Sequence, residues 1–252
     1  MLFKGGNFMV LRAITFNMCH GQGLDGIVNV KKQSEFLKRY KPDIIFLQEI
    51  DMYTQRTNNE DQIYRFSKYS GLLYRSMGIN IKYRNGFYGD GILSRFPFEY
   101  QANYLMPLID GSHEQRGLLH NKITFGTTRI NLFSIHLATN QEERLLSIKE
   151  LIRIIKKLNK EELIIIAGDF NVGVTRTGKH QYIFDKNEPF AEYKLLTKHL
   201  FKIENTEDTW FSDQGSGCID TMFYSNQIKV KRFETIKTPL SDHCAVLVEF
   251  DI

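Results

Sequence analysis

The chain has 252 residues and a mass of 29.5 kDa, enough to bury a substantial hydrophobic core without disulfides or metals to support it. Its 13% aromatic content excludes a disordered chain, and a mean hydropathy of −0.32 argues against a membrane-spanning helix, which needs roughly 18 consecutive apolar residues. A formal net charge of +4 is compatible with a phosphate-bearing ligand but does not by itself indicate nucleic-acid binding.

The beginning of the chain contains no apolar stretch of the kind found in secretion signals. A Lys-Gly-Gly segment shortly precedes Met9, as expected when a bacterial ribosome-binding site is translated in frame. We therefore expect residues 1–8 to be a dispensable N-terminal extension with Met9 as the natural first residue, and residues 9–252 to form a single domain.

Three cysteines lie far apart in the chain, at Cys19, Cys218 and Cys244. Their odd number and the lack of a CxxC pair argue against a disulfide framework and predict free, partly buried thiols. Together with the missing signal and membrane span, this predicts a cytoplasmic protein, which we expect to be a monomer.

The first part of the chain reads as strand, helix, strand. Residues 11–16 have the composition of a β-strand that ends at the polar Asn17. Residues 28–40 carry apolar side chains at helical spacing, which predicts a helix. Residues 43–47 form a continuous apolar run typical of a buried strand, and we expect this strand to end next to Glu49.

A second part of the chain repeats this plan. Residues 130–135 predict a strand that ends at His136. Residues 140–158 predict a helix, because they begin with a capping-box pattern and continue with one apolar stripe. Residues 163–167 predict another buried strand, which leads into Asp169.

Strands that are buried on both faces imply that helices pack on the sheets, and α/β folds place their chemistry at strand ends. The number of strands favours two packed sheets over one. Four further strands are predicted at residues 91–94, 118–124, 219–225 and 244–250.

Polar side chains cluster at the ends of the predicted strands. They are Asn17, Glu49, His136, Asp169, Asn171, Asp220, Asp242 and His243. Taken one at a time, each has a structural interpretation as a cap, a turn, a solvated carboxylate or a buried core histidine. Taken together, their hard oxygen donors suit Mg²⁺ or Mn²⁺, whereas no paired thiols or HExxH motif indicate zinc.

The segments around these residues resemble those of the endonuclease/exonuclease/phosphatase superfamily, which has the DNase I-like fold. In chain order they are TFN (15–17), PDIIFLQE (42–49), GILSR (91–95), HL (136–137), GDFN (168–171), IDTMF (219–223) and SDH (241–243). The resemblance runs over nearly the whole chain. It implies a four-layer α/β sandwich of two packed mixed β-sheets flanked by helices, and Mg²⁺-dependent hydrolysis of a phosphate ester, with Mn²⁺ as the alternative metal.

The resemblance also implies a metal site, in which Glu49 is the main ligand and Asn17 and Asp242 lie beside it. A hard cation there would neutralise the charge that develops when an anionic ester is attacked by water.

Carried over by position, Asp169 and Asn171 hold the attacking water or the phosphate, and His136 contacts the phosphate. Asp220 orients His243, and a histidine paired with a carboxylate is a tuned proton acceptor. Whether Asp169 or His243 takes the proton of the water stays open.

Small bacterial members of the superfamily resemble this chain more closely, because they share a GxGxDG turn (21–26), Arg56, and the Glu-x-Arg-Gly element that contains Glu114 and Arg116. We expect the glycine turn to shape a loop beside the site. Arg56 and Arg116, with Glu114, are predicted to bind substrate, because guanidinium groups suit phosphate oxygens. Surface ion pairs are the alternative interpretation of both arginines.

Three positions depart from the pattern of the superfamily. Asp90 stands where asparagine is usual, and its carboxylate would either repel a substrate phosphate or add a metal contact. Thr221 and Cys218 stand where tyrosine and arginine are common, so some substrate contacts differ.

The sequence supports three classes of function. The first is a phosphodiesterase or phosphatase acting on a small molecule or a lipid headgroup, and the second is a DNA or RNA endonuclease or exonuclease. Residues 136–139 lack the Pro-Asn of abasic-site enzymes, and the lysines lie on presumed outer helix faces, so nucleic acid is not required as a partner. The third is an inactive binding module, which the intact polar set disfavours. Residues 87–88 and 210–211 are candidates for exposed apolar tips that a lipid-active enzyme would need.

Overall fold

The computed structural model describes residues 9–111, 114–178, 181–188, 190–213 and 215–252. Residues 1–8, the predicted extension, lie outside this part of the chain. No helix within it is long and apolar enough to cross a bilayer. All three cysteines are free, as expected.

The described residues form the following strands and helices. The strands are β1 (Val10–Asn17), β2 (Ile44–Met52), β3 (Tyr74–Tyr83), β4 (Gly86–Ser94), β5 (Tyr100–Leu105), β6 (Gly117–Phe125), β7 (Thr128–His136), β8 (Leu163–Asp169), β9 (Val174–Gly178), β10 (Gln181–Phe184), β11 (Phe201–Lys202), β12 (Trp210–Ser212), β13 (Gly215–Gly217), β14 (Asp220–Tyr224), β15 (Lys229–Ile236) and β16 (Ala245–Asp251). The helices are α1 (Val30–Lys38), α2 (Gln62–Ser70), α3 (Gln141–Ile155) and α4 (Ala191–Leu196).

Two six-stranded sheets dominate the molecule. The first has the spatial order β15-β16-β1-β2-β4-β3, and the second has the order β11-β14-β8-β7-β6-β5. Each sheet is mixed, because β1 and β2 are parallel in the first and β7 and β8 are parallel in the second, while the other neighbours are antiparallel. Two small hairpins, β9–β10 and β12–β13, lie outside the sheets.

The hydrophobic core has three layers, which explains why the central strands read as continuous apolar runs. Phe46 faces a cluster shared with the second sheet, whereas its neighbours Ile45 and Leu47 face a cluster with α1 and α2. On the second sheet, Ile165 faces the shared cluster and Ile166 faces α3 and α4. The order helices, sheet, sheet, helices is the predicted four-layer α/β sandwich, so the fold prediction is confirmed.

Two helices begin at asparagine caps, of which the capping-box pattern predicted the one at α3. The side chain of Asn29 accepts a hydrogen bond from the backbone N–H of Lys32 at the start of α1. The side chain of Asn140 accepts one from Glu143 at the start of α3, with an N···O distance of 3.2 Å. These contacts satisfy backbone donors that the first helical turn leaves unpaired.

One strand differs from its prediction in a way that matters for the site. The apolar run of β2 does not end next to Glu49, because the strand continues through a bulge to Met52. Pairing with β4 is interrupted between Leu47 and Ile50, and Glu49 has a left-handed backbone with φ of 61°. A bulge inserts an unpaired residue and redirects its side chain, so Glu49 leaves the regular alternation of the strand.

The two candidate apolar tips are not exposed as pairs. Tyr88 and Trp210 are buried, whereas Phe211 is exposed. Trp210 packs with Val174 and Ile219 in a small cluster of its own.

Candidate active site

The site lies where the ends of the parallel strands of both sheets meet. Asn17 ends β1, and His136 and Asp169 are direct neighbours at the ends of β7 and β8. Asp220 begins β14 and is paired with Asp169 in the antiparallel register. The second sheet therefore presents three of the predicted side chains on adjacent strands.

Asp169 is the centre of the cluster. Its Oδ2 atom accepts a hydrogen bond from the side-chain amide of Asn17 at 3.0 Å. The Nε2 atom of His136 lies 3.5 Å from the same oxygen, and the Nε2 atom of His243 lies 3.8 Å from it. Burial, followed by the charge of Asp220, raises the pKa of Asp169 to about 7. The Oδ2 atom of Asp169 thus lies close to groups from both sheets, including the two histidines.

A tight turn after β8 holds this carboxylate in place. The backbone N–H of Asn171 donates to Asp169 Oδ1 at 2.9 Å, which leaves Oδ2 to face the cluster. Asn171 has a φ of 49°, and its side-chain amide donates to the carbonyl of Leu137 at 2.9 Å. Asparagine tolerates the left-handed region better than most residues, which explains its place in the GDFN segment.

His243 and Asp220 form a buried pair. The distance from His243 Nδ1 to Asp220 Oδ2 is 2.8 Å, and Asp220 is fully buried. A carboxylate only accepts hydrogen bonds, so Nδ1 carries a proton and Nε2 faces Asp169. Burial lowers the pKa of His243, but the charge and hydrogen bond of Asp220 outweigh it and raise the pKa to about 10.

His136 is held as a single neutral tautomer. Arg116 Nη1 lies 3.0 Å from His136 Nδ1, and a guanidinium only donates, so Nδ1 is the acceptor and Nε2 carries the proton. Burial and then the charge of Arg116 lower the pKa of His136 well below its usual range. The neutral ring therefore directs its N–H toward Asp169 Oδ2. Arg116 also donates to Glu114 at 2.6 Å.

Two carboxylates form the oxygen-rich edge of the site. The bulge in β2 brings Glu49 within 3.2 Å of the Asn17 amide, measured from Oε1 to Nδ2. Burial and then the charge of Asp242 raise the pKa of Glu49. Within the described parts of the chain, no lysine or arginine forms an ion pair with either carboxylate. Two carboxylates beside an amide fit a hard divalent cation such as Mg²⁺ or Mn²⁺.

Two further residues of this edge were not predicted as site residues. The ligand-type atoms of Cys19, His20 and Glu49 lie within 4.8 Å of one another, and the Cys19 thiol hydrogen-bonds Asp242. Burial, followed by the charges of Glu49 and Asp242, raises the pKa of the thiol strongly, so Cys19 stays protonated. The only sequence signal for Cys19 and His20 was their position shortly after the TFN segment.

Arg56 lies apart from the cluster. Its guanidinium forms a bidentate pair with the fully buried Asp51, at 2.6 and 2.8 Å, and stacks over Tyr83 and Tyr88. No hydrogen bond links it to the predicted site residues, although its charge contributes to lowering the pKa of His20. The structure therefore brings Arg116 and Glu114 into the cluster and leaves Arg56 beside it.

Asp90 is a buried neighbour of the cluster. It accepts a hydrogen bond from Asn80 at 2.9 Å through Oδ2, while Oδ1 is buried without a partner. Burial raises the pKa of Asp90 to about 8, even though the Asn80 hydrogen bond and the charge of Arg116 act in the opposite direction. The charge of Arg116 acts on Asp90, so Asp90 is coupled to the site electrostatically.

A cavity of about 510 Å³ adjoins the cluster. It lies between the segment that follows β5, the start of α3 and the β9–β10 hairpin, and Glu114 and Arg116 line both the cavity and the cluster. Tyr182 also lines the cavity. The charges of Glu49 and Glu114 contribute, after burial, to raising the pKa of Tyr182. The cavity is therefore continuous with the cluster.

The chain belongs to the endonuclease/exonuclease/phosphatase family, whose sequence profile matches residues 14–243. Members of this family are hydrolytic phosphoesterases and nucleases, which is the class of protein that the fold and the cluster of acids and histidines define.

In sequence, the chain is similar to the uncharacterized protein YbhP of Escherichia coli, with 32% identity over 96 residues. This match spans 37% of this chain and 37% of YbhP, so it relates only part of the two proteins.

Solved structures show the same fold over nearly the full chain. An endonuclease/exonuclease/phosphatase from Bacteroides vulgatus has a TM-score of 0.75 at 18% identity, covering 97% of this chain and 99% of that one. The mannosyl-6-phosphatase Bt3783 of Bacteroides thetaiotaomicron has a TM-score of 0.70 at 16% identity, covering 96% and 100%. D. rerio TDP2, in complex with a single-strand DNA product, has a TM-score of 0.71 at 19% identity, covering 96% and 99%.

Proposed function

We propose that this protein is a divalent-metal-dependent phosphoesterase that hydrolyses phosphate esters of small polar molecules. The observation that carries the proposal is the convergence on Asp169 Oδ2 of Asn17, His136 and His243, with the Glu49 and Asp242 edge on one side and the cavity on the other.

Glu49, Asn17 and Asp242 would hold the metal. Mg²⁺ or Mn²⁺ bound there would neutralise charge on the phosphate and thereby favour attack by water. The oxygen donors fit this task because they are hard ligands, and because the charges of Glu49 and Asp242 are close enough to affect each other.

The histidines would act on the phosphate and on the water. The Nε2–H of His136 would donate to a non-bridging phosphate oxygen, since Arg116 holds the ring in the tautomer that presents this proton. Asp169 and His243 would orient the water, and Asp169, whose pKa is about 7, would accept its proton, since the raised pKa of His243 keeps that ring protonated. The water oxygen forms a bond to phosphorus, the bond from phosphorus to the alcohol oxygen breaks, and the alcohol leaves with a proton.

Small substrates suit the surroundings of the cluster better than a nucleic-acid strand does. The adjoining cavity has a volume of about 510 Å³, within the range of roughly 300–1,000 Å³ that is typical of small-molecule sites. A polynucleotide is instead bound by lysine and arginine side chains that follow its backbone. The similarity to a phosphatase and to a protein solved with a DNA product is one of fold, so it does not choose between these substrates.

The proposal is tested with p-nitrophenyl phosphate, bis-p-nitrophenyl phosphate, inositol phosphates, sphingomyelin and plasmid DNA, each with Mg²⁺, Mn²⁺ or EDTA. We expect metal-dependent hydrolysis of small esters, abolished by EDTA and restored by excess Mg²⁺. Glu49→Gln should lose this activity, and Glu161→Gln, which changes an exposed carboxylate, should keep it. Hydrolysis that persists in EDTA would overturn the metal assignment, and cleavage of DNA alone would show a nuclease instead.

A further inference from the structure

Arg144, in the first turn of α3, has one of the largest fully buried side chains of the described residues. Its Nε atom donates to Glu192 of α4 at 2.7 Å, and its Nη2 atom donates to Glu188. The side chain of Glu192 is fully buried, and that of Glu188 is 11% exposed. Arginine is rarely buried without such partners, and these two ion pairs leave its Nη1 atom for other acceptors.

The Nη1 atom of Arg144 joins two segments of backbone. It donates to the carbonyl of Ala138 at 3.4 Å and to the carbonyl of Val174 at 3.2 Å. Ala138 follows the end of β7, and Val174 begins the β9–β10 hairpin. The side-chain amide of Asn171 links the same two parts of the chain nearer to the cluster, because it donates to the carbonyl of Leu137. Arg144 thus makes the second of two successive links.

The two segments are walls of the cavity that adjoins the cluster. Residues 138–140 line one part of the cavity, and residues 175–178 line another. Within the described residues, no backbone hydrogen bond joins one of these segments to the other. Their spacing therefore depends on side-chain contacts, and Arg144 contacts both segments without lining the cavity itself.

The chemistry of arginine suits this arrangement. A guanidinium is planar and carries five N–H donors in fixed directions, so one group can bind two carboxylates and two carbonyls at the same time. Lysine has the same charge, but its three donors lie on a single nitrogen. It therefore cannot reach the same set of acceptors, and exchange of Arg144 for lysine separates the geometry of the side chain from its charge.

We propose that Arg144 is a positioning residue for substrate binding, which fixes the spacing between residues 138–140 and the β9–β10 hairpin and thereby the shape of the cavity. The inference rests on the proposed phosphoesterase function, because it assigns the cavity to the alcohol part of the ester. The parallel register of β7 and β8 holds His136 and Asp169 without help from Arg144. Arg144 therefore affects binding of the ester more than the chemical step.

The first test measures steady-state kinetics of Arg144→Lys with p-nitrophenyl phosphate and Mg²⁺, and uses inorganic phosphate as a competitive inhibitor. The ester would occupy the cluster and the cavity, whereas inorganic phosphate would occupy the cluster alone. We expect KM to rise by roughly 10-fold, the lower end of the effect of residues that orient binding groups, while kcat per folded molecule and the Ki of phosphate stay near their native values. A merely structural role would lower the amount of folded enzyme, which does not change KM.

Two further variants control this test. Arg153 lies on the same helix and pairs with Glu150, but its side chain is exposed and does not line the cavity, so Arg153→Lys should leave KM unchanged. The double variant Arg144→Met with Glu192→Leu removes two buried ions together, which avoids the unpaired carboxylate that destabilises single variants of such pairs. It also lacks the donor to the two carbonyls, so KM should rise here as well, even if Arg144→Lys folds poorly.

Hydrogen exchange gives a readout that does not depend on turnover. The backbone amides of β9 and β10 should exchange about 10- to 100-fold faster in Arg144→Lys, the factor for loss of one hydrogen bond to a charged group. The amides of β7 and β8 lie in the centre of the second sheet and should change only as far as global stability falls. Arg153→Lys should leave exchange in the hairpin unchanged.

The outcomes separate the two proposals. If the native protein hydrolyses esters and KM is unchanged in both Arg144 variants, the positioning role is overturned and the phosphoesterase function stands. An equal rise in KM and in the Ki of phosphate would place the effect at the cluster and would also overturn it. If the native protein hydrolyses no ester, the proposed reaction fails. Faster exchange of the hairpin in Arg144→Lys would then still support its link to residues 138–140, and unchanged exchange would overturn that link.

Discussion

The units β1–α1–β2 and β7–α3–β8 have the same connectivity but end in different ways. In the second unit, His136 and Asp169 stand side by side in the regular parallel register, 3.5 Å apart from Nε2 to Oδ2. In the first unit, the residue beside Asn17 is Gln48, and the carboxylate of Glu49 reaches the site only because the strand bulges. Regular register thus pairs an imidazole with an acid, whereas irregular backbone brings a carboxylate beside the amide of Asn17.

The largest expected effect comes from disrupting the end of the first unit. Glu49→Ala should reduce metal-dependent hydrolysis by at least about 10³-fold, because it removes the main ligand of a cation that stabilises the transition state by several kcal/mol. We also expect Mg²⁺ to raise the melting temperature of the native protein but not that of the variant. A variant that keeps both the metal dependence and the Mg²⁺-induced shift would show that the metal lies elsewhere.

The next largest effect is expected from changes to the buried pair of His243 and Asp220. His243→Ala should reduce turnover by about 10²–10⁴-fold, the contribution of one general acid or base, and Asp220→Asn should cost nearly as much. Because Asp220 acts through His243, the double variant should be scarcely worse than His243→Ala alone. Multiplicative losses in steady-state assays would mean that the two residues act independently.

Two arginines sharpen the comparison further. Arg116→Lys should reduce turnover by roughly 10- to 100-fold, as for other side chains that orient a functional residue, because lysine cannot hold both Glu114 and His136 in the same way. Nitrogen NMR shifts of the His136 ring should show loss of the Nε2–H tautomer. Unaltered shifts would exclude this positioning role.

Arg56→Ala should act mainly on stability. It leaves the fully buried Asp51 without its bidentate partner, which costs about 3–5 kcal/mol in comparable buried pairs. Thermal unfolding should show the loss, while turnover per folded molecule falls less than in Arg116→Lys. A larger loss of turnover with little change in melting temperature would instead support the predicted contact with substrate phosphate.

The smallest effect concerns Asp90 and depends on pH. Burial raises the pKa of Asp90 to about 8, so the folded state holds its proton more tightly than the unfolded state, and stability falls as pH rises from about 4 to 8. Asp90→Asn removes this pH-dependent loss of stability, while the amide oxygen of the variant side chain can still accept a hydrogen bond from Asn80. The variant should gain stability relative to the native protein between pH 4 and 8, and the difference should level off above pH 8. Parallel stability curves would contradict the buried, protonated state.

The strands that carry the site were predictable because the run of apolar side chains within each strand is enough to identify it. Runs such as residues 163–167 are apolar throughout, since alternate side chains enter two different cores, and their polar ends then lie at one edge. The family segments supplied the order in which these ends meet. The asparagine cap of α3 was likewise predictable from its capping-box pattern, whereas that of α1 was not predicted, because apolar spacing alone placed the start of this helix at residue 28.

Other features depended on contacts that no local pattern encodes. The strands β9, β10, β12 and β13 are short and largely exposed, so they lack a hydrophobic period. The continuation of β2 beyond Glu49 depends on pairing with β4. The pairing of Arg56 with Asp51, and the position of Cys19 at the acidic edge, were invisible because each residue type is common on surfaces and in cores alike.

The bulge at Glu49 also lowers the stability of the folded protein at a residue that we propose is needed for activity. A side chain in the left-handed region strains the backbone by about 1–3 kcal/mol, and here the strained residue is also a partly buried carboxyl near the charge of Asp242. Glycine at this position would relieve both penalties at once. We therefore expect Glu49→Gly to give a more stable protein that has lost the proposed metal-dependent hydrolysis.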